Sequence, residues 1–300
     1  MHSPAQRVSR WCGLLVLGLV SCLGAALAQD SSEAAQRLRT QRSTLDESLQ
    51  NNVFARPLVL VSKETTPGLR GDMYALVAFP FANVSRALQD PQQWCEVMIL
   101  HLNTKYCHTL DGVQGQQIQL NIGSKSPQTL SQSSRVTLAY TLLTSQPDYF
   151  EVQLSASEGP MGTRDYQIRL EAVALATGQT FLHLTYAYSA NLAARLAMQT
   201  YLATVGNNKV GFTVLSRTAQ GAPVWIKGMR ALVERNTMRY YLAINSYLAT
   251  RQQPPAQGFE ASLQHWFSAS EAYPEQLHEI ERPAYLTMKR AEHLRQQTAQ

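Results

Sequence analysis

A succession of two-residue alternations between positions 135 and 188 constrains this chain more than any other feature. Residues 135–143 set Val136, Leu138, Tyr140 and Leu142 against Thr137, Ala139 and Thr141, the period that gives a strand one apolar and one polar face. Residues 149–156 alternate again. The clearest run is 164–176, with Tyr166, Ile168 and Leu170 on one side and Asp165, Gln167, Arg169 and Glu171 on the other. Gly159-Pro160-Met161-Gly162 turns the chain before it, and Thr177-Gly178-Gln179 makes a compact hairpin loop into 180–188. Strands joined so tightly pair antiparallel, and their apolar face needs a cover. That cover is predicted to be a helix over 228–249, where Met229, Leu232, Val233, Tyr240, Tyr241, Ile244 and Leu248 fall along one side. The class is α+β, an antiparallel sheet under a long helix near the C-terminus.

The remaining pattern fits around this pair. Residues 30–56 read as a polar helix whose apolar stripe is only Ala35, Leu38, Leu45 and Leu49. Strands are expected at 58–61 and, after the breaker Pro67-Gly68, at 73–81. Asn83 can cap a short helix over 84–88, and Asp90-Pro91 can start a second that carries Trp94, Val97, Met98 and Leu102 on one face. A short strand at 117–122, a polar loop at 123–134, a helix at 190–204 and a final strand at 210–215 complete the domain. Pro254-Pro255 then separates a polar helical tail, 259–300, and no internal repeat is visible.

The N-terminus reads as an export signal. Arg7 and Arg10 precede an uncharged apolar stretch, Trp11 to Ala28, that closes on Ala26-Leu27-Ala28, a small-x-small cleavage pattern before Gln29. The domains are accordingly 1–28 signal peptide, 29–56 helical lead-in, 57–250 main domain and 251–300 linker and tail, in a periplasmic or secreted protein. Leu19-Val20-Ser21-Cys22 leaves open a lipoprotein anchored at Cys22. The chain is 26 basic against 21 acidic residues. Removal of the two signal arginines leaves 24 against 21, or +3, too small an excess and too scattered for nucleic acid. Of four cysteines, Cys12 and Cys22 lie in the signal, so Cys95 and Cys107 remain. In an oxidising compartment a lone pair reads as a disulfide in preference to two free thiols or a metal site. On one helix they would stand about 18 Å apart, so the chain must turn back between them, and residues 101–104 are the place.

From residues 74–84, Tyr-Ala-Leu-Val-Ala-Phe-Pro-Phe-Ala-Asn-Val, and 87–94, Ala-Leu-Gln-Asp-Pro-Gln-Gln-Trp, the chain resembles the START-like (lipid-transfer and polyketide cyclase-like) superfamily over about 57–250. The strand ending in a helix and the Asp-Pro-x-x-Trp start of the next carry the resemblance. It implies a helix-grip fold, a curved antiparallel sheet gripping the long C-terminal helix, here with N- and C-terminal helical extensions. The extra helix at 190–204 and the tail after Pro255 depart from the family pattern and leave the closure of any cavity open. The resemblance further implies a space between sheet and helix for an apolar small molecule or lipid. Tyr140, Tyr166, Tyr186 and Tyr240 are the candidates to line it, each a ring with a hydroxyl, together with Leu170 and Ile244.

Catalytic signatures are thin: the chain carries no GxSxG elbow, HExxH, Walker loop or dinucleotide glycine pattern. His101 and His108 lie near Cys107 but lack a convincing carboxylate geometry for a metal, and no cofactor is expected. His183 is read on the polar side of its strand, away from the more apolar Leu182, Leu184, Tyr186 and Tyr188, with Asp165 and Glu171 as its nearest acids. The reading is a non-enzymatic binding protein. The alternatives are a cyclase-like enzyme acting on an apolar or aromatic substrate through a His-carboxylate pair, and an interaction module using the tail. Glu260, Glu271, Glu275, Glu279 and Glu281 with Lys289, Arg290 and Arg295 suggest a solvated tail surface. Phe259, Leu263, Trp266 and Phe267 are expected to dock on the main domain, with a protein partner through 259–300 and a peripheral membrane contact left open.

Overall fold

The computed structural model describes residues 32–65, 68–113, 115–204 and 206–298; the signal, its cleavage pattern, Cys12 and Cys22 lie outside them. Ten strands and nine helices occupy the described residues. The main sheet has eight antiparallel strands in the order β1-β2-β8-β7-β6-β5-β4-β3: β1 (Leu58–Glu64), β2 (Gly68–Val77), β3 (Thr104–Gly112), β4 (Gly115–Ile122), β5 (Ser134–Ser145), β6 (Tyr149–Glu158), β7 (Thr163–Ala174) and β8 (Thr180–Ala190). After β2 the chain crosses to the far edge through α3 (Phe81–Leu88) and α4 (Pro91–Met98), then returns strand by strand until β8 closes beside β2. Register shifts at Thr104/Tyr106, Leu142/Thr144 and Arg164/Gln167 bend and twist the strands, as bulges do.

The second crossing helix forms for the expected reason, whereas the first starts at Phe81 after Pro80 with no side-chain cap, so Asn83 lies inside it and does not cap it. Asp90 caps α4 by accepting from the Gln92 amide at 2.9 Å, and Pro91 occupies the first helical turn, where its missing N–H costs nothing. Trp94, buried, donates its indole N–H to the Leu88 carbonyl and ties the two helices together. Cys95 of α4 and Cys107 of β3 form a disulfide, Cα atoms 5.3 Å apart, after the chain turns through His101 and Thr104.

The long helix α6 (Gly228–Thr250) lies against the inner face and packs on β1, β2 and β8. Its approach to β2 requires Gly71, where a Cβ would overlap the Thr237 hydroxyl. The helix is not simply apolar on its buried side. Glu234 is fully buried and accepts from the Ser62 hydroxyl, the Thr213 hydroxyl and the amides of Phe212 and Thr213, so its charge is met by donors.

Two sequence readings are corrected. The strand expected at 210–215 does not join the sheet: Val214–Arg217 (β9) and Pro223–Trp225 (β10) form a separate two-stranded hairpin. β3 was not expected, because Lys105, His108 and Asp111 spoil its apolar pattern. The tail docks on the main domain, as expected from Phe259, Leu263, Trp266 and Phe267. In α7 (Pro255–Glu271), Leu263, Trp266 and Phe267 pack into the main core, and in α9 (Arg282–Thr298) Tyr285 stacks on Trp266 at 5.0 Å. Short α8 (Pro274–Leu277) joins them.

Lys289 and Glu279, read as part of a solvated tail surface, are buried in charge clusters. Lys105 and Lys289, both 0% exposed, hold opposite oxygens of Glu292 at 2.9 and 2.8 Å. Glu279 accepts from Arg239, Lys125 and Lys209 at 2.9, 2.6 and 2.8 Å. Burial alone would raise its pKa, but these cations, Arg239 foremost, lower it to about 2. At the other end residues 32–44 (α1) and Asp46–Gln50 (α2) place Ala34, Ala35, Leu38 and Leu49 against Tyr149, Val173 and Phe181 on the outer face of the sheet.

Candidate ligand cavity

Sheet and helix do not meet along their whole length. Beside the N-terminal half of α6, where Leu232, Asn236 and Tyr240 follow one another at helical spacing, a cavity of about 550 Å³ remains between α6 and strands β4, β5, β7 and β8. Its carbon walls include Leu120, Val136, Leu138, Ile168 and Leu232. The inserted helix α5 (Leu192–Ala203) contributes Ala194, Ala197 and Met198 as an outer wall. Asn191 starts α5 by accepting from the Ala194 amide at 2.8 Å.

Three of the six candidate residues border this space. Tyr166, Tyr186 and Tyr240 line it, joined by Tyr188, which the sequence placed on the interior face without marking it. The rings form one cluster, with Tyr186 5.2 Å from Tyr240 and Tyr166 5.3 Å from Tyr188. Burial raises the pKa of Tyr186 and Tyr240 well above the ordinary value, so their hydroxyls stay protonated. The Tyr166 hydroxyl donates to Thr163 Oγ1.

Tyr140, Leu170 and Ile244 are corrected. Tyr140 instead donates to the Gln89 carbonyl at 2.6 Å and pins β5 to the end of α3. Leu170 is completely buried in the packed core, opposite Leu184. Ile244 lies one helical turn past Tyr240 in the packed core and is 1% exposed.

His101 is the cavity residue that spacing did not single out for this role. The turn after α4 buries it to 4% exposure and stacks its ring on Tyr240 at 4.9 Å. Its Nδ1 accepts from the Asn103 amide at 3.2 Å. Burial, with the nearby cations Arg239, Lys289, Lys125 and Lys105, holds its pKa well below the usual histidine value. Among the described lining residues there is no carboxylate, and the described residues contain no group of three or more His, Cys, Asp or Glu able to hold a metal.

His183 lies outside the cavity, as its strand pattern indicated, but it is not solvent-exposed. Its side chain, 12% exposed, is clasped between Asp72 and Glu171, each at 2.8 Å, and stacks on Tyr74 at 4.3 Å. Glu171 was an expected neighbour; Asp165 was not a partner and is 63% exposed in its own pair with Arg164. Asp72 was missed because it reaches His183 only through the β2–β8 pairing. Burial would lower the His183 pKa, yet hydrogen bonds to Asp72 and Glu171 outweigh it and raise the value. A raised histidine pKa stabilises the fold fully below the unfolded value, about 6.5, and the gain is lost as pH rises through the folded value. His183→Leu is expected to cost about 2 kcal/mol at pH 6 and less at pH 9, read by urea unfolding at both. A pH-independent difference would refute this account.

No protein-family model matches the chain, and no curated protein matches it. Solved structures do superpose in part. A conserved protein from Geobacillus kaustophilus is 12% identical over 60% of this chain and 95% of its own, with a TM-score of 0.36. An aromatase/cyclase from Streptomyces is 13% identical over 69% and 94%, at 0.33. Human StAR-related lipid transfer protein 5 is 8% identical over 53% and 83%, at 0.29. Scores this low leave the architecture to stand on the sheet order and the gripped helix. On those grounds the chain is an α+β helix-grip protein, as its START-like resemblance implied.

Proposed function

We propose that this chain is an exported binding protein that holds an apolar small molecule or lipid between its sheet and α6. The observation that carries the reading is the 550 Å³ cavity with carbon walls and a few convergent polar groups, the size and composition of small-molecule sites in general. Export is supported by the N-terminal signal pattern and by the Cys95–Cys107 disulfide. Ligand uptake from a bilayer is supported by the rim. There Met161 is 83% exposed, and α5 presents Leu192, Leu196 and Tyr201 to solvent. Trp266, Phe267 and Tyr285 are buried against the domain, so a protein partner for residues 259–300 would use their charged outer side.

The enzyme alternative, acting on an apolar or aromatic substrate, is favoured by one observation: His101, Tyr186 and Tyr240 meet in the same cavity. These groups can polarise a substrate, but no described lining carboxylate stands ready to accept a proton.

Organic extraction of the purified protein is expected to release an apolar compound in near-stoichiometric amount, detected by mass spectrometry. Val136→Trp, which fills the void from β5, should lower retention at least about tenfold while leaving the unfolding midpoint near that of the wild type. Empty extracts and failure to take up any hydrophobic dye would remove the proposal. Turnover of an aromatic ketone by the purified protein would favour the enzyme reading.

A further inference from the structure

We infer that the cavity takes an uncharged guest bearing a hydroxyl, ketone or ester oxygen, and that this oxygen enters first, to hydrogen-bond the Tyr240 hydroxyl. The inference rests on the cavity reading above and narrows its ligand class. None of the described lining residues is Asp, Glu, Lys or Arg. His101, the one lining imidazole, is held neutral by burial, and burial keeps the lining tyrosines protonated. The wall therefore carries no formal charge to meet an ion. A carboxylate, phosphate or ammonium drawn inside would lie unpaired away from water, at a cost far greater than that of an unbonded neutral oxygen.

The tyrosines show where the polar atom of the guest goes. Tyr166 is committed to Thr163, and Tyr186 has the Asn236 side chain as its partner. The Tyr240 hydroxyl has no partner among the described residues and, unlike His101 Nε2, is not one of the unpartnered polar atoms sealed from water. A hydroxyl left open on a largely carbon-walled space offers a donor and an acceptor to whatever fills it. Its ring stacks on His101 and tilts against Tyr186, centroids 4.9 and 5.2 Å away, and both of these neighbours are buried. Tyr240 thus marks the deep end, whereas Ser124, Gln132 and Met161, all exposed, mark the mouth. An oxygen at the deep end leaves the apolar body of the guest against Val136, Leu138 and Ile168.

The test uses full-length mature protein and three probes on one ring system, 2-ethylnaphthalene, 2-(2-naphthyl)ethanol and 2-naphthylacetic acid, titrated by calorimetry. The acid should bind only in its protonated form. Because a carboxyl group ionises at about pH 4.3, its apparent affinity should fall about a hundredfold between about pH 6 and about pH 8, while that of the alcohol stays constant. Tyr240→Phe, which keeps the ring against His101, should weaken the alcohol about tenfold and leave 2-ethylnaphthalene within about twofold of its wild-type affinity. Should that variant not fold, the carbon-13 resonance of Tyr240 Cζ in wild-type protein decides: it moves more on binding the alcohol than on binding 2-ethylnaphthalene, and equal movement would refute the contact. Acid affinity unchanged over the pH range would overturn this inference alone, as would an alcohol affinity that Tyr240→Phe does not alter. Binding of none of the three probes would overturn the cavity reading and this inference together.

Discussion

Glu292→Gln is expected to lower the unfolding free energy by about 4 kcal/mol at neutral pH, the largest effect of any single change considered. Glu292 binds two ammonium groups, Lys105 on β3 and Lys289 on α9, whose side chains are 0% exposed. Removing its charge strands both cations away from water, and this cost far exceeds that of one lost hydrogen bond. Lys289 also donates to the Thr104 carbonyl at 2.7 Å, and Lys105 to the Leu102 carbonyl at 3.1 Å. The loss therefore falls on the seam between α9 and the sheet edge. Burial already lowers the Lys289 pKa to about 8. Between that value and the unfolded one the unfolded chain binds more protons, so stability gains as pH rises. The variant's deficit should accordingly shrink at alkaline pH. Urea unfolding at pH 7 and at about pH 9.5 reads both effects, and an unchanged midpoint at pH 7 would refute the assignment of the pair as a structural clamp.

Replacing both Cys95 and Cys107 by Ala is expected to cost about 3 kcal/mol. The bridge closes a loop of sequence separation 12, and in the chain-entropy account its main effect is to restrict the unfolded state. It also has a native-state role. β3 ends the sheet and pairs only with β4, so its other edge is held by α4 through the disulfide and by α9 through Lys105. The double variant should unfold at lower denaturant concentration than the oxidised wild type and at about the same concentration as the reduced protein. Coincident curves for oxidised and reduced wild type would show that the bridge contributes nothing.

How much of this was legible depends on where each residue finds its partner. The alternation in β5 to β8 is local, and so is the chemistry of the Gly178 loop, whose glycine has φ +78°. Both were read correctly. The Asp90-Pro91 helix start is equally local. β3 was invisible because Lys105 looks like a surface residue until Glu292, 187 positions away, meets it. The same holds for Lys289 and Glu279: composition counts charges but does not show that three cations converge on one carboxylate.

The cavity divides along similar lines. Tyr166, Tyr186 and Tyr240 border it from the inward face of their elements, but Leu170 and Ile244 share those faces and still fall outside it. Periodicity gives the side of an element and not the point along it at which α6 settles onto the sheet. Tyr140 has the right period too, and its hydroxyl is diverted to Gln89. His101 sits in a turn, where no periodicity applies. Its signal was a histidine next to a forced chain reversal.

The outer wall made by α5 has a consequence for kinetics. This helix buries only Ala194 and Leu202, whereas the sheet edge and α6 are locked by the disulfide and by buried ion pairs. A helix with so few buried side chains is expected to open at a free energy below that of global unfolding, once the Arg195–Glu64 ion pair to β1 parts. The residence time of a guest would then be governed by the hinges flanking α5, and the Glu292→Gln protein, though fragile, should release its cargo no faster than the parent.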